Sequence, residues 1–342
     1  MEVSVLSDVE VSVVIPTYNE KENLPELVSR IHEALHSIRI PYEVIVVDDA
    51  SPDGTAAEAF RLSQMYPVKV IVREDKLGLS SAVLEGVRFA EGEYVVVMDA
   101  DLQHPPEVIP RLLKRALRDS CDIVVASRYV EGGSVGEWNL LRKAISKGAT
   151  YVARVLLPQS RKVKDPMSGF FLFRKKVLEG AQLNPKGFKI LLEILVRGRY
   201  SRVCEEPFKF GVRAHGESKL GGREIFNYLA HVIQLAPHYI RFAAVGFVGS
   251  VVNLAVLYLL KYLLGLAHAI STALAIETSV LSNFTMNDMW TFRFERRGDW
   301  RHRLIKFHGS SAAGILTQYA VSNILYYSWL VRDSLTAQLL GI

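Results

Sequence analysis

The chain has 342 residues and a formal net charge of +5, and its basic residues gather beside apolar segments, which points to anionic membrane surfaces and phosphate groups and away from nucleic acid. Hydrophobic residues make up 49% of it and the mean hydropathy is +0.16, a balance that a wholly soluble domain seldom needs, so part of the chain is expected in lipid. Two cysteines, Cys121 and Cys204, are too few and too far apart for a disulfide framework or a cysteine-rich zinc site, and read as two buried thiols.

No signal peptide is expected, because Met1 to Glu10 is polar and VSVVIP is a short strand-like run. From residue 11 to about 130, apolar β-branched runs (VSVVIP, YEVIVVDD, VKVIV, EYVVVMDAD) alternate with amphipathic stretches (ENLPELVSRIHEALHSI, GTAAEAFRLSQM, LSSAVLEGVRFA). This alternation predicts a mostly parallel sheet with helices on both faces, whose ligands bind beyond the carboxyl ends of the strands. Trp138 to Leu157 reads as a helix interleaved with Arg142, Lys143, Lys147 and Arg154, suited to a membrane surface or to packing on its own domain. Residues 223–237 read as an interfacial amphipathic helix.

The last third changes character. Segments at about 239–263, 266–286 and 308–331 are long and apolar enough to cross a bilayer as helices, and 335–342 reads as the possible start of a fourth. Arg293, Arg296, Arg297, Arg301, Arg303 and Lys306 crowd the connection before the third span, whereas the connection near Gly265 carries no charge. The positive-inside rule then puts residue 287 onward, and the amino-terminal domain two spans earlier, in the cytosol. Glu277, an acid inside the second span, needs a partner that spacing alone does not identify. The expected organisation is a cytosolic α/β domain over 1–222, an interfacial helix over 223–237 and a transmembrane domain over 238–342.

Two strand ends carry the chemistry. In VVVMDADLQHPP an apolar strand runs into Asp99, Asp101 and Gln103, whose alternation would turn two carboxylates and an amide oxygen toward one hard divalent cation, magnesium or manganese. In VVDDASPDGT a strand ends in Asp48 and Asp49; with Pro16, Tyr18 and Glu20 of VVIPTYNE they form a second edge, where carboxylates could accept from a base. Asp53 reads as a turn and helix-start residue. Asp165, before Pro166, reads as a positioning or loop residue.

Taken together, VVIPTYNE, VVDDASPDGT, LGLSSAV, MDADLQHPP, ASRY, DPMSGF and GESKLGG resemble the dolichyl-phosphate mannose synthases and their polyprenyl-phosphate relatives over about residues 11–222. The last third resembles the small membrane domain fused to some of them. The resemblance implies a GT-A fold, Rossmann-like and mostly parallel, and inverting transfer of mannose from GDP-mannose to dolichyl or another polyprenyl phosphate. It implies that Asp99, Asp101 and Gln103 hold the metal, that Ala100 joins them at the nucleotide sugar, and that Pro16, Tyr18, Glu20, Asp48, Asp49, Lys76 and Gly78 hold the nucleoside side. Arg128, Arg142, Ser146, Arg213 and Lys219 would gather around the acceptor phosphate, with Asp101, Arg128 and Arg213 nearest the reaction. An ionised phosphate acceptor needs no general base, so none is expected.

A UDP-sugar donor remains open, since Asp49 could accept from uracil as well as guanine, and homo-oligomers through the membrane domain are possible. A processive polysaccharide synthase would show a Q-x-x-R-W segment, which is absent. A lipid-linked-sugar flippase with a regulatory soluble part is disfavoured by the intact D-x-D motif. For topology, a cysteine replacing Gly298 should be labelled by a membrane-impermeant maleimide only from the cytosolic side, and one replacing Gly265 only from the other. The reverse pattern would overturn the orientation.

Overall fold

The computed structural model describes residues 10–136, 140–183, 189–211, 222–293, 296, 298–328, 330–331 and 333–342, with backbone alone at 140–141 and 222–225. It divides into two compact units after Leu235.

In the first unit, strand and helix alternate as β1 (Val11–Thr17), α1 (Leu24–His36), β2 (Tyr42–Asp48), α2 (Thr55–Leu62), β3 (Val68–Val72), α3 (Leu79–Phe89), β4 (Tyr94–Val97), α4 (Ile109–Arg118) and β5 (Ile123–Ser127). They are followed by α5 (Leu140–Leu156), β6 (Phe171–Arg174), α6 (Ile190–Arg197), β7 (Val203–Pro207) and α7 (Gly222–Leu235). The seven strands form one sheet in the order β3-β2-β1-β4-β6-β5-β7. All pairings are parallel except those of β6, which runs antiparallel to both β4 and β5.

Side chains alternate across each strand, so one run feeds two cores. Val11, Val13 and Ile15 pack with Leu27, Ile31 and Leu112 on one face. Val14, Ile45 and Val47 pack with Val83, Val87 and Ile194 on the other. On the second face α3 lies so close to the sheet that a Cβ on Gly86 would stand 2.5 Å from Val14 Cγ1 and 3.0 Å from Val47 Cγ2.

The cysteines depart from the expectation of two thiols: Cys121 and Cys204 are joined as a disulfide, with their Cα atoms 6.1 Å apart. Sequence distance misleads here because β7 pairs in parallel beside β5, setting Cys204 opposite Val124, three residues after Cys121. That separation lies within the bonding range.

The second unit is helical: α8 (His238–Tyr258) continued by a π-helical turn (Leu259–Leu263), α9 (His268–Met286) continued by another (Asn287–Thr291), α10 (Trp300–Tyr327) and α11 (Ser334–Gly341). Among the described residues one helix, His238–Leu263, is both long enough and apolar enough to cross a membrane, with a hydropathy of 2.1 over its most apolar stretch. α9 and α10 are of spanning length but carry more polar side chains, and buried polar groups bond the helices to one another. Ser279 Oγ donates to the Gly249 carbonyl (2.8 Å), Gln338 Nε2 to Asn253 Oδ1 (2.7 Å), and His268 Nδ1 lies 3.0 Å from Ser334 Oγ. Such bonds join helices where water is absent. Glu277 finds its partner in α10, with Oε1 3.1 Å from His308 Nε2. The segment read as a possible fourth span is α11, eight residues long and capped by Asp333, whose side chain accepts from Thr336 N.

Gly86→Val should lower the stability of the first unit by about 2 kcal/mol through overpacking against Val14 and Val47, read as a fall in the denaturation midpoint. Gly148→Ala, where a Cβ meets nothing within 4 Å, should be close to neutral.

Candidate active site

The strand ends of β1, β2, β4 and β5 share one edge of the sheet, and the loops that follow them build the site. After β2, Asp48 turns inward. Its carboxylate accepts from Thr17 Oγ1 (3.0 Å), Ser51 N (2.9 Å) and Ser51 Oγ (2.6 Å), fastening the ends of β1 and β2 together. Asp49 instead reaches the loop after β3: it accepts from Gly78 N (2.8 Å) and Leu77 N (3.2 Å) and pairs with Arg73 Nη1 (2.8 Å). These bonds place Lys76 beside β1, with Nζ 3.4 Å from the centroid of the Tyr18 ring. Tyr18, Asp49, Lys76 and Gly78 are thereby brought together, with Pro16 on the adjoining strand. Glu20 lies at the start of α1, where Oε2 accepts from Asn23 Nδ2 (2.6 Å). Asp53 is a helix-start residue, its Oδ1 accepting from Thr55 N (3.0 Å).

After β4 the chain leaves the strand at Val97, so Asp99 to Gln103 form a turn, and strict strand alternation does not orient them. Leu102 takes a positive φ of 62°, which swings Gln103 back toward Asp101. Asp101 Oδ1 accepts from Gln103 N (3.1 Å), and Gln103 Nε2 donates to the Gly211 carbonyl (3.2 Å), committing the amide nitrogen so that the amide oxygen is the atom that would meet a cation. Asp101 and Gln103 are buried, whereas the Asp99 side chain is 37% exposed. Ala100, between them, is buried. Two carboxylates and an amide oxygen on one short turn make a donor set that fits a hard divalent cation.

His104 holds this turn from behind. Its Nδ1 accepts from the Asp99 backbone N–H (3.0 Å), and its ring stacks on Phe170 at 5.2 Å between centroids. Burial, opposed by the Asp101 charge and assisted by Arg128, pushes its pKa down to about 4, so it stays neutral and the accepting nitrogen is retained. Gly169 supplies the room, since a Cβ there would stand 3.1 Å from Asp99 Oδ2 and 3.2 Å from His104 Cε1.

The cationic side begins at the end of β5. Arg128 is buried and meets Asp165 in a forked pair, Nε to Oδ2 at 2.7 Å and Nη2 to Oδ1 at 2.8 Å, while its backbone N–H donates to the same Oδ2 at 3.1 Å. Burial opposes the charge, but the Asp165 bonds hold the guanidinium pKa above its ordinary value. The neighbouring Tyr129 hydroxyl lies 2.9 Å from Ser146 Oγ on α5, which ties that helix, and with it Arg142, to the end of β5. Arg213 and Lys219 lie outside the described residues.

One residue that sequence reasoning passed over stands among these groups. Lys189 donates from Nζ to the Met167 carbonyl (3.0 Å). Burial first and then Arg128 push its pKa down to about 8, while Asp99 and Asp165 oppose the shift and Arg142 assists it. Lys189 therefore senses the carboxylate turn and the arginines at once. Its only signal in sequence is a lysine just ahead of the apolar run ILLEILV, which no motif marks. Arg73 was likewise invisible, because its role appears only once β3 lies beside β2.

Two family models match the chain: Glycosyl transferase family 2 over residues 12–180 and the GtrA/DPMS transmembrane domain over residues 241–342. A dolichol-phosphate mannosyltransferase of Pyrococcus furiosus is 51% identical over 97% of this chain and 94% of its own length. One from Saccharomyces cerevisiae is 43% identical over 66% of this chain and 87% of its own. Among solved structures, a glucosyl-3-phosphoglycerate synthase of Mycobacterium tuberculosis superposes with a TM-score of 0.50 at 22% identity, over 66% of this chain and 79% of its own. A mannosyl-3-phosphoglycerate synthase of Rubrobacter xylanophilus does so at 0.50 and 20%, over 66% and 73%. These two likenesses speak to the GT-A fold alone.

Asp165→Asn should leave the buried Arg128 charge without its counter-charge and cost about 3–5 kcal/mol, seen as a lower denaturation midpoint. The double variant Asp165→Asn with Arg128→Met should recover much of that loss. A double variant less stable than Asp165→Asn alone would show that the pair is not the source of the effect.

Proposed function

The chain belongs to the dolichol-phosphate mannosyltransferases, membrane glycosyltransferases that move a mannosyl group onto a polyprenyl phosphate, and from that membership we propose that its donor is GDP-mannose and that a divalent magnesium or manganese ion is required. The observation that carries the reading is the meeting of the Asp99–Asp101–Gln103 turn with the Arg128–Asp165 pair and Lys189 on one sheet edge.

In this reading Tyr18, Asp49 and the 76–78 loop receive the nucleoside, and Asp99, Asp101 and Gln103 hold the ion beside the diphosphate. Bound there, the ion would offset the charge that develops on the departing GDP. Lys189 lies where a second positive charge would face the diphosphate or the sugar. Arg128, held flat by Asp165, presents its remaining N–H groups to the acceptor phosphate with Arg142 and Ser146; Arg213 and Lys219 take the same role by resemblance.

An acceptor oxyanion attacks the anomeric carbon, the bond from that carbon to the GDP oxygen breaks, and the configuration inverts to give the β-linked mannosyl lipid. The second pKa of a phosphate monoester is about 6, so the nucleophile is already ionised and no proton must move. The chain's work is then orientation and charge stabilisation. We further propose that the helical unit spans the membrane with α8, α9 and α10 and that the catalytic unit faces the cytosol, a reading supported by the Arg-rich stretch between α9 and α10.

The full chain, reconstituted with a polyprenyl phosphate and labelled GDP-mannose, should form an organic-extractable labelled lipid only when divalent ion is supplied. Asp101→Asn should reduce that product by about a hundredfold or more while the protein stays folded. Product formed from UDP-glucose in preference to GDP-mannose would overturn the donor assignment, and undiminished turnover in chelator would overturn the metal.

A further inference from the structure

Next to the residues assigned to the acceptor, but lined by none of them, α5 and the 3-10 turn Pro158–Lys162 form an open groove of ≈ 590 Å³. Four cations line it, Lys147, Arg154, Arg161 and Lys164, together with Thr150, Tyr151 and Tyr129, the last reaching Ser146. Among the described residues Lys147, Arg154 and Lys164 form no ion pair with an acid. Like charges held around one concavity repel one another, so an anionic occupant would relieve the arrangement.

Two features argue for a built site over a merely basic surface. Arg161 is fixed in place, with Nε donating to the Arg154 carbonyl (2.6 Å) and Nη2 to the Val155 carbonyl (3.4 Å), which are carbonyls of the last turn of α5. Thr150 is only 9% exposed, and its Oγ1 is a buried hydroxyl without a hydrogen-bond partner. A buried hydroxyl among unpaired cations matches a phosphate oxygen, which accepts from both.

The rim is apolar and outward-facing, Tyr151 being 70% and Val155 46% exposed, the pairing of cations with projecting apolar groups that suits a lipid interface. α5 is also bonded to α7, through the Tyr228 hydroxyl to the Ala149 carbonyl (2.6 Å), and α7 ends three residues before the apolar helix that begins at His238.

We propose that this groove binds the phosphate head group of an anionic bilayer phospholipid, with Lys147, Arg154, Arg161 and Lys164 neutralising it and Thr150 donating to it. This occupant is neither donor nor acceptor, and its binding is independent of which sugar nucleotide is used.

The test is hydrogen exchange of residues 142–157 in the full chain, reconstituted in nanodiscs of phosphatidylcholine alone or with phosphatidylglycerol. Wild type should exchange about tenfold more slowly with the anionic lipid. The triple variant Lys147→Gln, Arg154→Gln, Lys164→Gln should lose the difference while keeping its melting temperature and its affinity for sugar nucleotide. Thr150→Val should lose part of it. Equal exchange in both kinds of disc, or a difference that survives in the triple variant, overturns the proposal. Equal protection by inorganic phosphate added to neutral discs also overturns it, by pointing to a soluble anion as the ligand.

Discussion

Arg128 keeps its charge inside the protein because Asp165 meets it in a fork along the Nε/Nη2 edge, with bonds of 2.7 and 2.8 Å, and accepts its backbone N–H as well. A buried guanidinium without such a partner would be expelled or would unfold its surroundings. With it, the end of β5 and the loop before β6 become a single rigid piece, and the other groups can be arranged around a fixed positive centre. Asp165 is itself steadied, since its backbone N–H donates to Glu205 Oε1 on β7 (3.1 Å). The end of β5, the loop before β6 and strand β7 thus fix one arginine.

The carboxylate side solves the opposite problem. Asp99 and Asp101 stand on a turn whose shape is held by neutral partners: His104 receives the Asp99 backbone N–H, and Gln103 spends its amide nitrogen on Gly211. The edge at β1 and β2 is different again, because Asp49 is occupied by Arg73 and two backbone N–H groups of the 77–78 loop. There the carboxylate shapes the loop that brings Lys76 over Tyr18.

In the helical unit, Ser279 and His268 lower the apolarity of α9, yet each is bonded to another helix, Ser279 to α8 and His268 to α11. These bonds hold the helices in register, while a hydropathy average counts the same residues only as polar. Glu277 and His308 make the same point with ionisable groups.

Much of this was legible in the sequence. Alternating β-branched and amphipathic runs have a period that only strands and helices satisfy, so the parallel sheet and the placement of Asp48, Asp49, Asp99 and Asp101 at strand ends followed from local pattern, while Arg128 entered only through the family resemblance. What tertiary structure alone decided is every relation that crosses the chain at long range. The Cys121–Cys204 bond depends on β7 docking beside β5, the neutral role of His104 on Phe170 and Gly169 closing behind it, and the partner of Glu277 on α10 packing along α9. Asp165 looked like a turn residue and proved to be the counter-charge of Arg128, while Lys189 carried no motif at all. The division has one physical cause: periodicity reports which face of an element is buried, but the partner that buries it, and the field that partner creates, exist only once distant segments are packed together.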